Sequence, residues 1–204
     1  SITASLKHTS SMKRLLLSMV LFLVVLNTGM HAQNSWLVSS TQAGSYTALQ
    51  ISQMVGNTGL PSSIAGPYVY DVTHHNILYH SVNTHGDTLT VSGSLFVPVA
   101  VPDSMLLVSY QHGTVLDRNA VISMGDNREL LVALVMASNG FLTQLPDYYG
   151  LGSGPGFHPY LIATDEAAAV RDMLRATLEF AGNGQLHCTN RVYLQIGRAS
   201  CRER

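Results

Sequence analysis

The chain has 204 residues, of which 46% are hydrophobic and 11% are charged, and its formal net charge is −1. This apolar content is ordinary for a globular domain. No long charged run precedes the C-terminal tail, so the sequence lacks the clustered basic face of a nucleic-acid-binding protein and we expect no nucleic-acid partner.

Residues 12–32 have the pattern of a secretory signal peptide. A basic start at 12–14 is followed by an almost wholly apolar run at 15–26 and by a short exit of polar and small residues that ends at Ala32. We therefore expect a secreted or periplasmic protein. The apolar run is shorter than the roughly 20 residues that cross a membrane, so we expect no stable membrane span after cleavage, with an uncleaved anchor as the alternative.

Residues 33–67 are rich in Ser, Thr, Gly and Gln and predict an irregular lead-in, with a short helix near residues 46–54. The aromatic and β-branched residues of 68–82 predict a strand. After a turn at 84–87, apolar and polar residues alternate over 88–97, which indicates a half-buried antiparallel strand.

Strands and helices alternate from residue 105 onward. The continuous apolar run at 105–110 predicts a strand buried on both faces, and an apolar helix at 130–137 follows it. Asp126 and Glu129 have the three-residue spacing of a helix-capping arrangement. The later segments predict a strand at 141–146, a helix at 165–181 and a strand at 191–194. This alternation predicts a parallel sheet with right-handed crossover connections.

Two segments of the sequence are the most informative about function. In the first, an apolar strand runs into His112, Gly113 and Thr114. In the second, residues 146–152 form a Pro-Asp-Tyr-Tyr-Gly-Leu-Gly loop after the next strand. With a helix between them, these segments resemble the first half of an α/β-hydrolase, nearest to the secreted bacterial esterases and secretory lipases. The resemblance implies an α/β fold in which this chain forms the N-terminal portion of a mostly parallel sheet with flanking helices.

The resemblance also implies where substrate would bind. In that family the loop after the first strand supplies a backbone N–H to the oxyanion hole, which stabilises the charge that develops on an ester carbonyl under attack. The amide of Gly113 or Thr114 is thereby implied as the donor. His112, Tyr148 and Tyr149 are candidates for substrate contact, with packing as the alternative for the two tyrosines.

The implied activity is hydrolysis of carboxylic esters, including lipids, by Ser-His-Asp chemistry without a cofactor. Asp147 lies too early in the chain to be the triad acid, and we expect it to satisfy turn amides. A peptidase of the prolyl-oligopeptidase kind is an alternative within the fold. A non-catalytic exported binding protein on the same scaffold is the alternative outside catalysis.

Other patterns are weaker. The glycines of 150–156 do not form G-x-G-x-x-G, so no dinucleotide site is predicted. Cys188 has no internal partner outside the tail, and we expect it to be buried as a small apolar residue. No helical metal-binding spacing is present, which favours solvated side chains over a metal site for the histidines at 74, 75, 80 and 85.

The C-terminal residues interrupt the resemblance. The strand at 191–194 occupies the position before the nucleophile, but no G-x-S-x-G follows, and Gly197-x-x-Ser200 does not match that motif. Residues 196–204 instead resemble translated sequencing adapter, with a natural basic tail as the alternative. We therefore expect a partial α/β-hydrolase domain over 68–195 that is truncated before the nucleophile elbow and inactive by itself.

Overall fold

The fold of the chain is that of a computed structural model, which describes residues 35–59, 67–101, 104–126, 129–160 and 162–196. The signal peptide predicted over 12–32 lies outside these residues, and of the tail predicted over 196–204 only Ile196 lies within them. Both therefore stay predictions. Across the described ranges, no helix is both long and apolar enough to cross a membrane.

Within these ranges six strands form a single sheet, and three α-helices flank it. In chain order the elements are β1 (Leu37–Tyr46), α1 (Ala48–Gly56), β2 (Val72–Val82), β3 (Thr88–Pro98), β4 (Met105–Gln111), a short 3-10 helix (Ile122–Met124), α2 (Leu130–Ser138), β5 (Phe141–Pro146), α3 (Ala163–Asn183) and β6 (Cys188–Ile196). Across the sheet the strands lie in the order β1-β2-β3-β5-β4-β6.

The sheet has an antiparallel half and a parallel half. β1 pairs with β2, β2 with β3 and β3 with β5 in antiparallel, whereas β4 pairs in parallel with both β5 and β6. The predicted α/β sheet with flanking helices is present, and it is parallel from residue 105 onward because α2 and α3 form the crossovers. The three earlier strands make the described sheet mixed rather than mostly parallel.

β1 corrects the prediction of an irregular lead-in over 33–67. Its small and polar side chains are mostly exposed, as suits an edge strand, and two register shifts interrupt its pairing with β2. The carboxylate of Glu179 on α3 holds the start of this strand. It accepts hydrogen bonds from the Ser35 hydroxyl and from the Trp36 and Leu37 amides. A contact so distant in sequence stabilises a strand that local composition does not predict.

The starts of α1 and α2 differ. α1, expected near 46–54, begins with a capping box in which Thr47 accepts from the Gln50 amide and the Gln50 side chain accepts from the Thr47 amide. The structure places the N-cap of α2 at Glu129, whereas the predicted Asp126–Glu129 capping arrangement would place it at Asp126. α2 begins after Glu129, and the Glu129 side chain caps no amide of its own helix.

The sheet separates two apolar layers. On one face α3 packs against a core that includes Leu95 and Leu107, and on the other face α1 and α2 pack around Phe96 and Leu134. β3 contributes to both layers and is buried on both faces from residue 91 to residue 98. The prediction of a half-buried strand is therefore wrong, because α2 and the 3-10 helix cover the face that carries its serines.

Polar residues inside the parallel half bond to one another. Gln144 on β5 donates to the Ser109 hydroxyl on β4 at 2.9 Å and accepts from the Thr177 hydroxyl on α3 at 2.7 Å. Gln111 donates to the same serine hydroxyl at 2.8 Å. All four side chains are buried. These hydrogen bonds allow β5 to be a buried strand although two of its central residues are polar.

A buried carboxylate ties α3 to β2. Asp172 is paired with Arg171 and Arg175 at N–O distances of 2.8 and 3.0 Å, and it accepts hydrogen bonds from the Ser81 hydroxyl and the Val82 amide. Burial by itself raises the pKa of Asp172, but the hydrogen bonds from Arg171, Val82 and Ser81 outweigh burial and hold this pKa below its ordinary value.

Candidate functional site

Two loops meet at the edge of the sheet formed by the carboxyl ends of β4 and β5, residues 112–126 and 147–160. This edge is where α/β proteins bind their ligands. A cavity of about 100 Å³ lies beside the first loop. Its apolar side is lined by Val115, Val121, Ile122 and Leu145. Its polar side is lined by His112, Gly113, Thr114, Asp126, Glu129 and Asp147.

His112 joins the two loops. Its Nδ1 lies 2.7 Å from the Gly113 carbonyl oxygen, and its Nε2 lies 3.3 Å from the Asp147 carbonyl oxygen. The ring also packs against Tyr148, with the ring centroids 4.7 Å apart. Both nitrogens thus face backbone acceptors, and a neutral imidazole can donate to only one of them. This position makes His112 a support for the loop as well as part of the cavity wall.

The two amides implied as oxyanion donors have different environments. The Gly113 N–H donates to Oε1 of Glu129 at an N–O distance of 3.4 Å. Among the described residues, the Thr114 N–H has no hydrogen-bond partner. Both residues line the cavity. Of the two, the Thr114 amide is the one that can donate to a bound carbonyl group without first breaking a hydrogen bond to another described residue.

Asp147 is a buried carboxylate at the start of the second loop. Its Oδ2 accepts hydrogen bonds from the hydroxyls of Ser92 on β3, at 2.7 Å, and of Ser123 in the 3-10 helix. Burial raises the pKa of Asp147, and these two hydrogen bonds together with the charge of His112 lower it without cancelling the effect of burial. Asp147 is structural as predicted, but its carboxylate binds hydroxyls rather than turn amides.

Gly152 brings the second loop against this carboxylate. Its φ is +55°, in the left-handed region, and a Cβ atom at this position would collide with the Ser92 hydroxyl and the Asp147 carboxylate. The next amide, that of Ser153, donates to the Ser92 hydroxyl at 2.9 Å. Only glycine satisfies both the backbone conformation and the close approach.

Arg118 clamps the two loops together, and no sequence motif indicated it. Its guanidinium donates to the carbonyl oxygens of Gly154, at 2.9 Å, and of Gly156, and its own carbonyl accepts the Gly152 amide at 3.0 Å. The Tyr160 hydroxyl adds a hydrogen bond to the Val115 carbonyl at 2.8 Å. These contacts hold the cavity wall against the glycine-rich loop.

Tyr148 and Tyr149 lie in the core and do not line the cavity. Tyr148 adopts a φ of +70°, which is strained for a residue with a side chain, and its ring packs between His112 and His158. The Tyr149 hydroxyl shares a hydrogen bond of 2.6 Å with the Ser81 hydroxyl. The structure thus supports the packing alternative for Tyr149 and places Tyr148 behind His112.

Three of the four histidines at 74, 75, 80 and 85 lie on β2, and the fourth lies in the turn that follows it. No group of three or more His, Cys, Asp or Glu side chains suited to a metal ion occurs within the described part of the chain. His74 is not solvated as predicted: it is buried and stacks on Phe96 with the ring centroids 4.4 Å apart. Burial, with a smaller effect from the charge of His75, lowers the pKa of His74 to about 4. Cys188 is half-buried, with a pKa raised by burial, and packs against the core.

The sequence matches no known protein-family profile and no curated protein. Solved structures do match. A candidate hydrolase of Legionella pneumophila is 27% identical with a TM-score of 0.71, over 79% of this chain and 43% of that chain. A ligand-bound form of the rice cell wall degrading esterase LipA from Xanthomonas oryzae is 26% identical with a TM-score of 0.67, over 79% of this chain and 42% of that chain.

Lipase A of Candida antarctica in its closed state shares the fold alone, at 13% identity and a TM-score of 0.51, over 79% of this chain and 35% of that chain. The chain thus spans less than half the length of the solved structures it matches. These neighbours are a candidate hydrolase, an esterase and a lipase, and they confirm the prediction of an α/β-hydrolase-type fold.

Proposed function

We propose that the chain is the N-terminal part of an exported serine hydrolase that cleaves carboxylic esters, including lipid esters. The observation that carries this proposal is the Thr114 amide beside the cavity at the carboxyl end of β4, which has no hydrogen-bond partner among the described residues and lies where ester hydrolysis needs a preorganised donor. The likeness to an esterase supports ester hydrolysis, and the signal-peptide pattern supports export. The 204 residues contain no G-x-S-x-G, so the nucleophile, acid and base would lie C-terminal to β6.

In this proposal a serine that follows β6 attacks the acyl carbon of the ester. A histidine, oriented by an acid, takes the serine proton and gives it to the alcohol that leaves as the ester bond breaks. Water then hydrolyses the acyl-serine by the same route and releases the carboxylic acid. The carbonyl oxygen gains negative charge, and the Thr114 amide donates to it together with the amide that follows the serine. One such donor is typically worth about 2.7–4 kcal/mol of transition-state stabilisation. No cofactor takes part.

The composition of the surface around the cavity favours binding of uncharged substrates. Its apolar side fits an acyl or alcohol group, and Leu116 and Phe157, which are 86% and 98% exposed, add apolar surface on the two loops. The carboxyl groups of Asp126 and Glu129 on the polar side would repel anionic esters. His112 would contact substrate from the cavity wall. Neutral esters of small molecules or lipids are therefore the proposed substrates.

The proposal is tested by expressing the complete reading frame of the source locus and assaying it on p-nitrophenyl acetate and butyrate. We expect turnover that is lost when the serine of a G-x-S-x-G turn after β6 is replaced by alanine. Residues 33–195 alone should give no turnover. Hydrolysis of peptides but not of esters would replace the proposal with a prolyl-oligopeptidase-like peptidase, and a complete frame without a nucleophile would replace it with a non-catalytic binding protein.

The role of the Thr114 amide is tested in the complete enzyme. Thr114→Pro removes the N–H and should lower kcat about 10²- to 10³-fold, whereas Thr114→Ala keeps the N–H and should leave kcat within about threefold of wild type. Circular dichroism and thermal unfolding of both variants control for folding. Equal activity of two folded variants would contradict donation by this amide.

A further inference from the structure

Glu129 has an uncommon partner for a residue at the start of a helix. It holds the N-cap position of α2, yet its side chain caps no amide of that helix. Its carboxylate instead accepts the amide of Gly113, sixteen residues earlier in the chain. The first turn of a helix favours a negative charge, and hydrogen bonds to ionised acceptors are stronger than those to neutral ones. This contact therefore joins the start of α2 to one specific peptide group.

The contact lies at the base of the loop that forms the cavity wall. Residues 113–126 supply most of that wall. The middle of the loop is held by Arg118 and by the Tyr160 hydroxyl, which bond to the neighbouring loop and to the Val115 carbonyl. At the base, the Gly113 amide is held by Glu129. The orientation of the peptide groups next to the cavity thus depends on this carboxylate.

Because the Gly113 amide is bonded to Glu129, the next amide along the chain is the one available to a substrate. With the first N–H bonded to Glu129, the Thr114 N–H beside the cavity has no hydrogen-bond partner within the part of the chain that the structure describes. We propose that Glu129 is a positioning residue, whose carboxylate fixes the Gly113 peptide and thereby presents the Thr114 amide to the substrate carbonyl. The inference rests on the proposed function, because it assigns Glu129 a role in the same ester hydrolysis.

Three variants of the complete enzyme separate this role from a general effect of charge. Glu129→Ala removes the acceptor, and Glu129→Gln keeps a carbonyl oxygen in its place while removing the charge. Glu166→Gln is the matched control. Burial raises the pKa of Tyr148, and the charges of Glu166 and Glu129 raise it further, so both acids act on this ring. Of the two, Glu129 is the one that bonds to Gly113.

Steady-state kinetics on a p-nitrophenyl ester give the first measurement. Glu129→Ala should lower kcat about 10- to 100-fold and change KM less than about threefold, because a misplaced donor weakens the transition state more than substrate binding. Glu129→Gln should stay within about fivefold of the wild-type kcat and Glu166→Gln within about twofold. A rise in kcat for Glu129→Ala would show that the carboxylate opposes the negative charge of the transition state, and it would overturn the proposal.

Hydrogen exchange of the Gly113 amide, followed by NMR in the complete protein labelled with ¹⁵N-glycine, gives a second measurement that needs no turnover. Exchange should be at least about tenfold faster in Glu129→Ala than in wild type or Glu129→Gln. Unchanged exchange and unchanged kcat in an active enzyme would overturn the role of Glu129 alone. A wild-type enzyme without esterase activity would overturn the proposed function as well, whatever the exchange rates show.

Discussion

Asp147 and Asp172 are both buried carboxylates, with exposures of 2% and 0%, yet the regions around them are built differently. Asp172, between β2 and α3, is bound by two arginines, a hydroxyl and an amide. Asp147, at the candidate site, is bound by two serine hydroxyls, and among the described residues neither Lys nor Arg bonds to it. The pKa of Asp172 is accordingly lowered, whereas burial raises that of Asp147.

The difference shows that burial alone does not decide the charge of a carboxyl group. Hydrogen bonds from cationic groups keep Asp172 ionised, and hydroxyl donors at Asp147 do not offset the loss of water to the same extent. Asp147 also lines the cavity beside the first loop, whereas Asp172 lies between β2 and α3. The region around Asp172 therefore stabilises the fold, and the region around Asp147 supports the candidate site.

The largest effect on stability is expected for Asp172→Ala. The substitution leaves the Val82 amide without its carboxylate partner and opens a space in the interior, so the free energy of unfolding should fall by roughly 3–5 kcal/mol. Denaturant unfolding measures this loss. Asp87→Ala removes an exposed carboxylate whose one side-chain partner among the described residues is the Asn83 side-chain amide, and it should change the free energy by less than about 1 kcal/mol. A similar loss in both variants would contradict the assignment.

A smaller loss is expected for Gly152→Ala. The added methyl group would press on the Ser92 hydroxyl and the Asp147 carboxylate and would strain a positive φ, at a cost of roughly 2–4 kcal/mol. Gly156→Ala is the matched control. Gly156 also has a positive φ but open space around it, so the cost should be about 1 kcal/mol. Equal losses in thermal unfolding would show that backbone strain alone is responsible.

The smallest effect at neutral pH is expected for Asp147→Asn, because an amide oxygen can still accept both hydroxyls, and we expect a change within about 1 kcal/mol. The larger difference between this variant and the wild type is expected in how the free energy of unfolding depends on pH. The folded-state pKa of Asp147 is raised, so the wild type loses stability as pH rises from the unfolded-state value of about 3.9 through the folded-state value. The variant should lack this loss.

Asp172→Asn should show the opposite pH dependence. The folded-state pKa of Asp172 is lowered, so its contribution is present above the unfolded-state value of about 3.9 and disappears as pH falls through the folded-state pKa. The free energy of unfolding of Asp172→Asn, measured between pH 3 and pH 7, should therefore approach that of the wild type at low pH. The same pH slope in both variants would contradict the comparison.

The sequence predicted the elements that a local pattern of residues marks. The strand at 141–146 and the helix expected over 165–181 are confirmed as β5 and within α3. β1 was missed because its polar composition resembles a loop and its start is held by Glu179, more than a hundred residues later. The half-buried prediction for β3 failed because the sequence does not show that a second layer covers its serines.

The candidate site was predicted only where a motif marks it. His112, Gly113 and Thr114 follow a recognisable strand and do line the cavity. Arg118 and Glu129 are common polar residues whose partners lie elsewhere in the chain, at Gly154 and Gly113. The three-residue spacing from Asp126 predicted Glu129 inside the first turn of a helix, whereas Glu129 is the N-cap of α2 and its side chain contacts Gly113. The roles of Arg118 and Glu129 depend on tertiary contacts, which composition and periodicity do not predict.

Gln144 has a further consequence for folding fidelity. β4 and β5 are buried on both faces, so an apolar pattern alone barely distinguishes the native pairing from one shifted by a single residue. Such a slip would turn the Gln144 side chain to the other face of the sheet, away from Ser109 and Thr177. The side-chain polar groups of Gln144 and Thr177 would then be buried without these hydrogen bonds. The hydrogen bonds of Gln144 therefore stabilise the native register of β4 and β5 relative to a shifted one while the sheet forms.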